Sequence, residues 1–342
     1  MKADAKTSAL LGVGSWRLFL ATLVAASHLW VDMAQGFAAY AVWAFFVLSG
    51  YLMTYVLLHK YGLGKQGLKD FAFNRFIRIY PGYFVALGLA LIVLVLMANY
   101  CIDGTELNYE FYMPHGLGWL NAVTLLPFFP HNGLPVPVSN ALSVEIGAYI
   151  LIPLFAHARS TAWLALIVSV IATWSLGFNV NTFDERYVTF LPCLMTFAVG
   201  SLLCHYRQRL LTFVMPRTSF VVWMIHGGLW LVQDKWPWTY GLYTSAVLSA
   251  WVTLSLTAYK SSKLDVLLGE TSYPMYLMHT TVAACFLMQF GYSRSLSFFA
   301  VSFAVAIMLS VVMALVLERP ISRLKRRSVP AVSTVSLART ES

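Results

Sequence analysis

An arginine and a histidine stand eleven positions apart inside one apolar run, from Trp16-Arg17-Leu18-Phe19 to Ala26-Ser27-His28. On a helix rising about 1.5 Å per residue the two lie roughly 16 Å apart along the axis. Ionisable groups in hydrocarbon are costly unless they face a polar cavity, so chemistry inside a membrane is the first hypothesis. Glu145 and His279 stand in two further apolar runs, and Arg75 and Arg78 sit three apart in Phe73-Asn74-Arg75-Phe76-Ile77-Arg78-Ile79-Tyr80-Pro81. A carboxylate raises the basicity of an imidazole and fixes its tautomer, so Glu145 and His28 read as an orienting acid and a general base. Guanidinium pairs bind oxyanions bidentately and stay charged, so Arg75 and Arg78 read as a phosphate pair at a membrane mouth. Each has a plainer alternative. Glu145 and His28 can pair helices, the arginines can contact anionic lipid, and His226 and His279 can make interhelical hydrogen bonds.

The elements that must position these residues follow from composition. Hydrophobic residues are 59% of the 342 and charged ones 11%, against about 25% charged in soluble domains. The chain therefore reads as an all-α, polytopic membrane protein. Apolar runs near the twenty residues a bilayer requires fall at 15–34, 37–58, 82–100, 141–158, 161–178, 187–206, 219–233, 240–259, 273–290 and 295–317. That predicts about ten transmembrane helices. With both termini cytoplasmic, only Arg186, Lys235 and Arg294 among the basic residues fall outside, as the positive-inside bias requires. On that topology Arg17 enters at the inner face. His28 lies roughly 9 Å, and Glu145 roughly 6 Å, below the outer surface.

The expected organisation is a cytoplasmic N-terminus at 1–14, a transmembrane domain at 15–327 and a disordered cytoplasmic tail at 328–342. No cleavable signal peptide is expected, because the first run is long and carries Arg17 and His28. The net charge of +9 reads as inside-facing membrane anchoring, with no nucleic-acid partner. Cys101, Cys193, Cys204 and Cys285 have neither metal-ligand spacing nor a disulfide framework, so no metal is expected. The segment 101–140 is long enough for a lid on the outer face. Its Tyr109, Tyr112, Trp119, Phe128 and Phe129 suit stacking on sugars or an interfacial aromatic belt.

Five motifs also carry a family resemblance: the Arg17/His28 element; Phe45-Phe46-Val47-Leu48-Ser49-Gly50-Tyr51-Leu52; Arg75 to Pro81; Leu142-Ser143-Val144-Glu145; and Ser272-Tyr273-Pro274-Met275-Tyr276-Leu277-Met278-His279. In this order they resemble the membrane-bound acyltransferase family three, which includes O-acetyltransferases of bacterial glycans. Asn140-Ala141 stands where the family often has Trp-Ser. The resemblance implies transfer of an acyl group, acetyl first, from cytoplasmic acyl-CoA to a hydroxyl of a surface or lipid-linked glycan such as lipopolysaccharide. The setting it implies is a bacterial inner membrane. His28 would be the catalytic histidine, Arg17 its motif partner, Glu145 the essential acid, Arg75 and Arg78 the donor pair, and His279 a lining of the donor channel. Direct transfer and an acyl-histidine intermediate both remain open. A transporter or flippase for a lipid-linked sugar, with Arg17, His28 and Glu145 as a proton relay, is the alternative function.

Overall fold

The computed structural model describes residues 8–9, 12–31, 33, 36–100, 102, 109, 111–129, 132–177, 180–229, 232, 237–291 and 294–326. The expected end segments 1–14 and 328–342 thus lie wholly or largely outside the described residues, as do Cys101, Asp103, Glu106 and Glu110.

A chain with so few charges must satisfy its backbone internally, and it does so with helices. They are α1 (Val13–Leu29), α2 (Phe37–Val56, continued by a π-helical turn at Leu57–Tyr61), α3 (Lys65–Asn99), α4 (Gly118–Thr124), α5 (Ser139–His157), α6 (Arg159–Leu176), α7 (Phe183–Tyr187), α8 (Phe190–Leu210), α9 (Pro216–Gly228), α10 (Leu242–Leu256), α11 (Lys263–Phe290), α12 (Leu296–Met313) and α13 (Arg319–Ser322). Each of the ten apolar runs holds a helix. Six helical stretches among the described residues are long and apolar enough to cross a membrane: Phe37–Tyr61, Lys65–Asn99, Ser139–His157, Arg159–Leu176, Glu185–Phe213 and Leu296–Ser322. The protein is thus a helical, multi-pass membrane protein. Among the described residues, the one departure from all-α is a two-residue parallel pairing of Ser8–Ala9 with Lys260–Ser261.

Two helices extend well beyond the apolar runs. α3 begins at Lys65 and passes through Pro81, and α11 begins at Lys263 and passes through Pro274. A proline normally marks a helix end, but in a bundle neighbouring groups can take over the freed backbone. Arg75 and Arg78 therefore ride on the same rod as the third span.

α1 packs along α11, and α2 along α8. Both seams need glycine. A Cβ on Gly50 would meet the Phe197 carbonyl oxygen at 2.4 Å, and one on Gly14 would meet the Asp265 carbonyl oxygen at 1.7 Å. Large apolar side chains on α6 and α12, among them Leu164, Ile171, Met308 and Val312, are exposed, as a lipid-facing surface requires.

The segment before α5 corrects the expectation of an outer lid. The Tyr80 hydroxyl donates to the Thr124 carbonyl, and the Tyr83 hydroxyl donates to the Ala122 carbonyl. Tyr83 lies sixteen residues from the C-terminal end of α3, the end expected outside, roughly 24 Å along its axis. The Tyr109 hydroxyl donates to Thr280 within α11 at 2.9 Å, and Phe111 is fully buried. The chain here is re-entrant, which is tolerated at membrane depth where protein covers the backbone. Leu117, Trp119, Leu120, Val123 and Phe128 remain exposed.

Candidate active site

The predicted site residues fall into two places. Arg17, Ser49, Arg75, Arg78, Glu145 and Tyr149 line a cavity of ≈ 110 Å³ between α1, α2, α3, α5 and α11. Ser49 donates from Oγ to Glu145 Oε1 at 2.5 Å and lies 2.9 Å from the Tyr149 hydroxyl, which also donates to Glu145. Tyr149 is one turn beyond Glu145 on α5. Arg75 stacks its guanidinium 5.9 Å from the Phe71 ring centroid and leaves a buried Nε without a partner. Arg78 pairs with Glu318 at 2.7 Å.

His28 is elsewhere. Its Nδ1 lies 2.9 Å from Nε2 of His279, with the ring planes 7° apart. His279 is fully buried, and its Nδ1 lies 3.2 Å from the Met275 carbonyl oxygen. The Tyr109 ring stands 5.5 Å from the His28 ring centroid. Arg294 donates to the carbonyls of Ser27 and Trp30, fastening the end of α1 that carries His28.

Glu145 was expected to orient His28 at a shared depth, yet no hydrogen bond or ion pair joins them. The reason is geometric. Ser49, Glu145's partner, lies twelve residues into α2, roughly 18 Å from its first turn. The re-entrant segment delivers α5 already sunk, so counting residues from a presumed surface places Glu145 too high. His279, expected on the donor channel, lines neither described cavity and meets His28 instead. Sequence reading had both histidines but not their contact. The signal was present in the small residues that α1 and α11 turn toward each other at Gly14 and Gly269. His226 makes the interhelical contacts expected of it, with Tyr40 at 2.8 Å and Thr244 at 2.7 Å.

A second cavity of ≈ 330 Å³ shares Arg17 and Arg78 with the first and adds Asp265, Glu270, Glu318, Ser322 and Lys325. Its acids are engaged. Asp265 accepts from the backbone N–H groups of Gly12, Gly14 and Ser15, Glu270 pairs with Arg319 at 2.8 Å, and Glu318 holds Arg78. Among the described residues, Arg17, Arg75 and Lys325 have no carboxylate within ion-pair distance. Burial, and then the Arg78 and Arg75 guanidiniums, lower the Lys325 ammonium from its ordinary value, with Glu318 pulling the other way. The segment carrying Lys325 is held to α3, because the Arg326 N–H donates to Asn74 at 2.9 Å and its side chain pairs with Asp70 at 3.3 Å. The two adjoining chambers thus have three cations without a carboxylate partner at their walls, Arg17, Arg75 and Lys325, groups able to take up the oxygens of an anion.

The chain is 30% identical over 175 residues to a protein of Bacillus subtilis provisionally named a peptidoglycan O-acetyltransferase, covering 48% of this chain and 27% of that protein. It is 31% identical over 140 residues to a peptidoglycan O-acetyltransferase of Listeria monocytogenes, covering 39% of this chain and 22% of that one. The chain thus spans about a quarter of the length of these curated relatives. No solved structure matches it. A family model described as an acyltransferase domain matches residues 10–316, and on that match, which takes in the narrower cavity and the histidine pair, the chain belongs to the acyltransferase family three.

Proposed function

We propose that the protein is an O-acyltransferase of the bacterial cytoplasmic membrane that moves an acyl group, acetyl first, from acyl-CoA to a hydroxyl of a cell-envelope glycan. The observation that carries this reading is that Arg17 and Arg78 line both cavities. A donor with a polyanionic head can lodge in the wider chamber against Lys325 and these arginines, while Arg75 offers its unpartnered Nε from the narrower one. Its thioester arm then runs from Arg17 toward His28 on the same helix, roughly 16 Å away. His28 takes the proton of the acceptor hydroxyl as that oxygen attacks the thioester carbonyl. The C–S bond breaks, and the leaving thiolate takes a proton from the imidazolium. Glu145, fixed by Ser49 and Tyr149, balances the arginines that hold the donor. The relatives named for peptidoglycan make a peptidoglycan hydroxyl the first acceptor to try.

The test uses protein in proteoliposomes with acetyl-CoA labelled on the acetyl group and a peptidoglycan fragment. Label should appear on the glycan, and His28→Ala should abolish it in folded, inserted protein. Acceptor movement without labelling would replace the enzyme with a transporter. Normal turnover in His28→Ala would remove His28 from the mechanism.

A further inference from the structure

We infer that His279 is a positioning residue that acts through His28: it holds the His28 proton on Nδ1, leaving Nε2 as the basic nitrogen that faces the acceptor. The inference rests on the proposed role of His28 as base and names what sets that base.

The assignment follows from a chain of three groups. The Met275 carbonyl oxygen can only accept, and it lies 3.2 Å from His279 Nδ1, so that nitrogen carries the hydrogen. A neutral imidazole has one N–H and one lone pair. His279 Nε2 is then an acceptor, and His28 Nδ1, 2.9 Å away, must donate to it. The lone pair of His28 falls on Nε2, to which no hydrogen bond is made among the described residues. The reverse order would set a bare His279 Nδ1 lone pair against the carbonyl oxygen in a site closed to water, where His279 is 0% exposed. A buried contact of two acceptors is costly, so the first order prevails.

The same chain suits the reaction. When His28 gains a proton on Nε2, its Nδ1–H still donates to a neutral His279, whose own N–H is backed by the carbonyl dipole. No group in the chain has to give up a proton. The pair is also held rigidly, since α1 and α11 approach too closely at Gly14 and Gly269 to slide. Arg294 clamps the carbonyls on either side of His28.

Two substitutions separate positioning from packing. The amide oxygen of glutamine stands as many bonds from Cα as Nε2 of histidine and can accept from His28, whereas that of asparagine reaches only as far as Nδ1. His279→Gln should retain kcat within a few fold. His279→Asn should lose about 10²-fold or more in kcat with little change in donor KM, as expected where a catalytic histidine loses the group that fixes its tautomer. The direct reading is the 15N spectrum of histidine-labelled protein in nanodiscs, with the His28 signals assigned by their loss in His28→Gln. Wild type should show His28 protonated on Nδ1 at neutral pH, and so should His279→Gln. A wild-type His28 protonated on Nε2 would overturn the inference, whether or not any variant folds. Equal kcat in His279→Gln and His279→Asn would overturn it as well. An Nδ1-protonated His28 in a protein whose His28→Ala form still transfers acyl groups would instead sink the base assignment and leave the tautomer standing.

Discussion

Arg75 and Arg78 are chemically alike and three positions apart, but their surroundings give them different work. Arg78 already holds a carboxylate, Glu318, of which 8% is exposed. Removing Arg78 leaves that acid buried and unpaired, at a cost of about 1–3 kcal/mol beyond any loss of donor binding. Arg75 has no carboxylate partner among the described residues and a buried Nε without an acceptor. Arg75→Ala should therefore weaken acyl-CoA binding by about 1.5–3 kcal/mol, the worth of a charge-assisted hydrogen bond, and leave the melting temperature nearly unchanged. Arg78→Ala should lower both, and Glu318→Gln in that background should recover stability without recovering affinity. Calorimetry and thermal melting on the same detergent preparations check this, and matching behaviour of the two arginine variants would contradict it. The identities of Arg17, His28, Arg75, Arg78, Glu145 and His279 were legible in the sequence because each is an expensive group in an apolar run. Their partners were not, because pairing depends on the tilt and depth of helices far apart in the chain.

At the level of elements, the seam between α1 and α11 carries both the histidine pair and the shared wall of the cavities, so what fixes its inner end matters to the site. Asp265 does this. Its carboxylate accepts from Gly12 and Ser15 N–H at 2.8 and 2.7 Å and from Gly14 N–H at 3.1 Å, serving as a borrowed N-cap for α1. Burial pushes the Asp265 carboxyl up, but hydrogen bonds from Ser261, Ser15 and Gly14 outweigh it and hold the group below its ordinary value of 3.8. A carboxyl lowered on folding contributes stability that is complete above its unfolded value and is lost as pH falls through its folded one. Wild type should thus lose stability below about pH 3.8, a step that Asp265→Asn lacks. At neutral pH Asp265→Ala should cost about 0.5–2 kcal/mol, the usual worth of a cap. Melting curves against pH in detergent measure both, and an identical acid limb in wild type and Asp265→Asn would rule the cap out. The ten helices were visible as apolar runs. The passage of α3 through Pro81, and the return of α4 to Tyr80 and Tyr83, were not, because a proline and a segment punctuated by Pro and Gly give the same local signal whether or not neighbouring helices cover the backbone.

For the whole molecule, sidedness decides whether the two cavities can serve the proposed donor. Acyl-CoA is cytoplasmic, so the wider cavity, built from Arg17, Arg78, the start of α11 and the segment after α13, must face the cytosol. The charge distribution argues the same way, since cytoplasmic loops accumulate Lys and Arg, each drawn to the anionic leaflet by about 1 kcal/mol. Lys69, Arg217 and Arg323 are exposed and belong to the side expected inside, while Val31, Glu185 and Ser297 are exposed on the side expected outside. In a background freed of native cysteines, single cysteines at Val31, Glu185 and Ser297 should react with a membrane-impermeant maleimide in intact spheroplasts. Those at Lys69, Arg217 and Arg323 should react only after permeabilisation. A uniform reversal would put the wider chamber on the outer side, where no acyl-CoA is found, and the donor would then have to be an extracytoplasmic acyl carrier. A mixed pattern would mean that one of the ten apolar runs does not cross, with α9, at 13 residues, the first to suspect because it falls short of the roughly 20 residues a bilayer core requires.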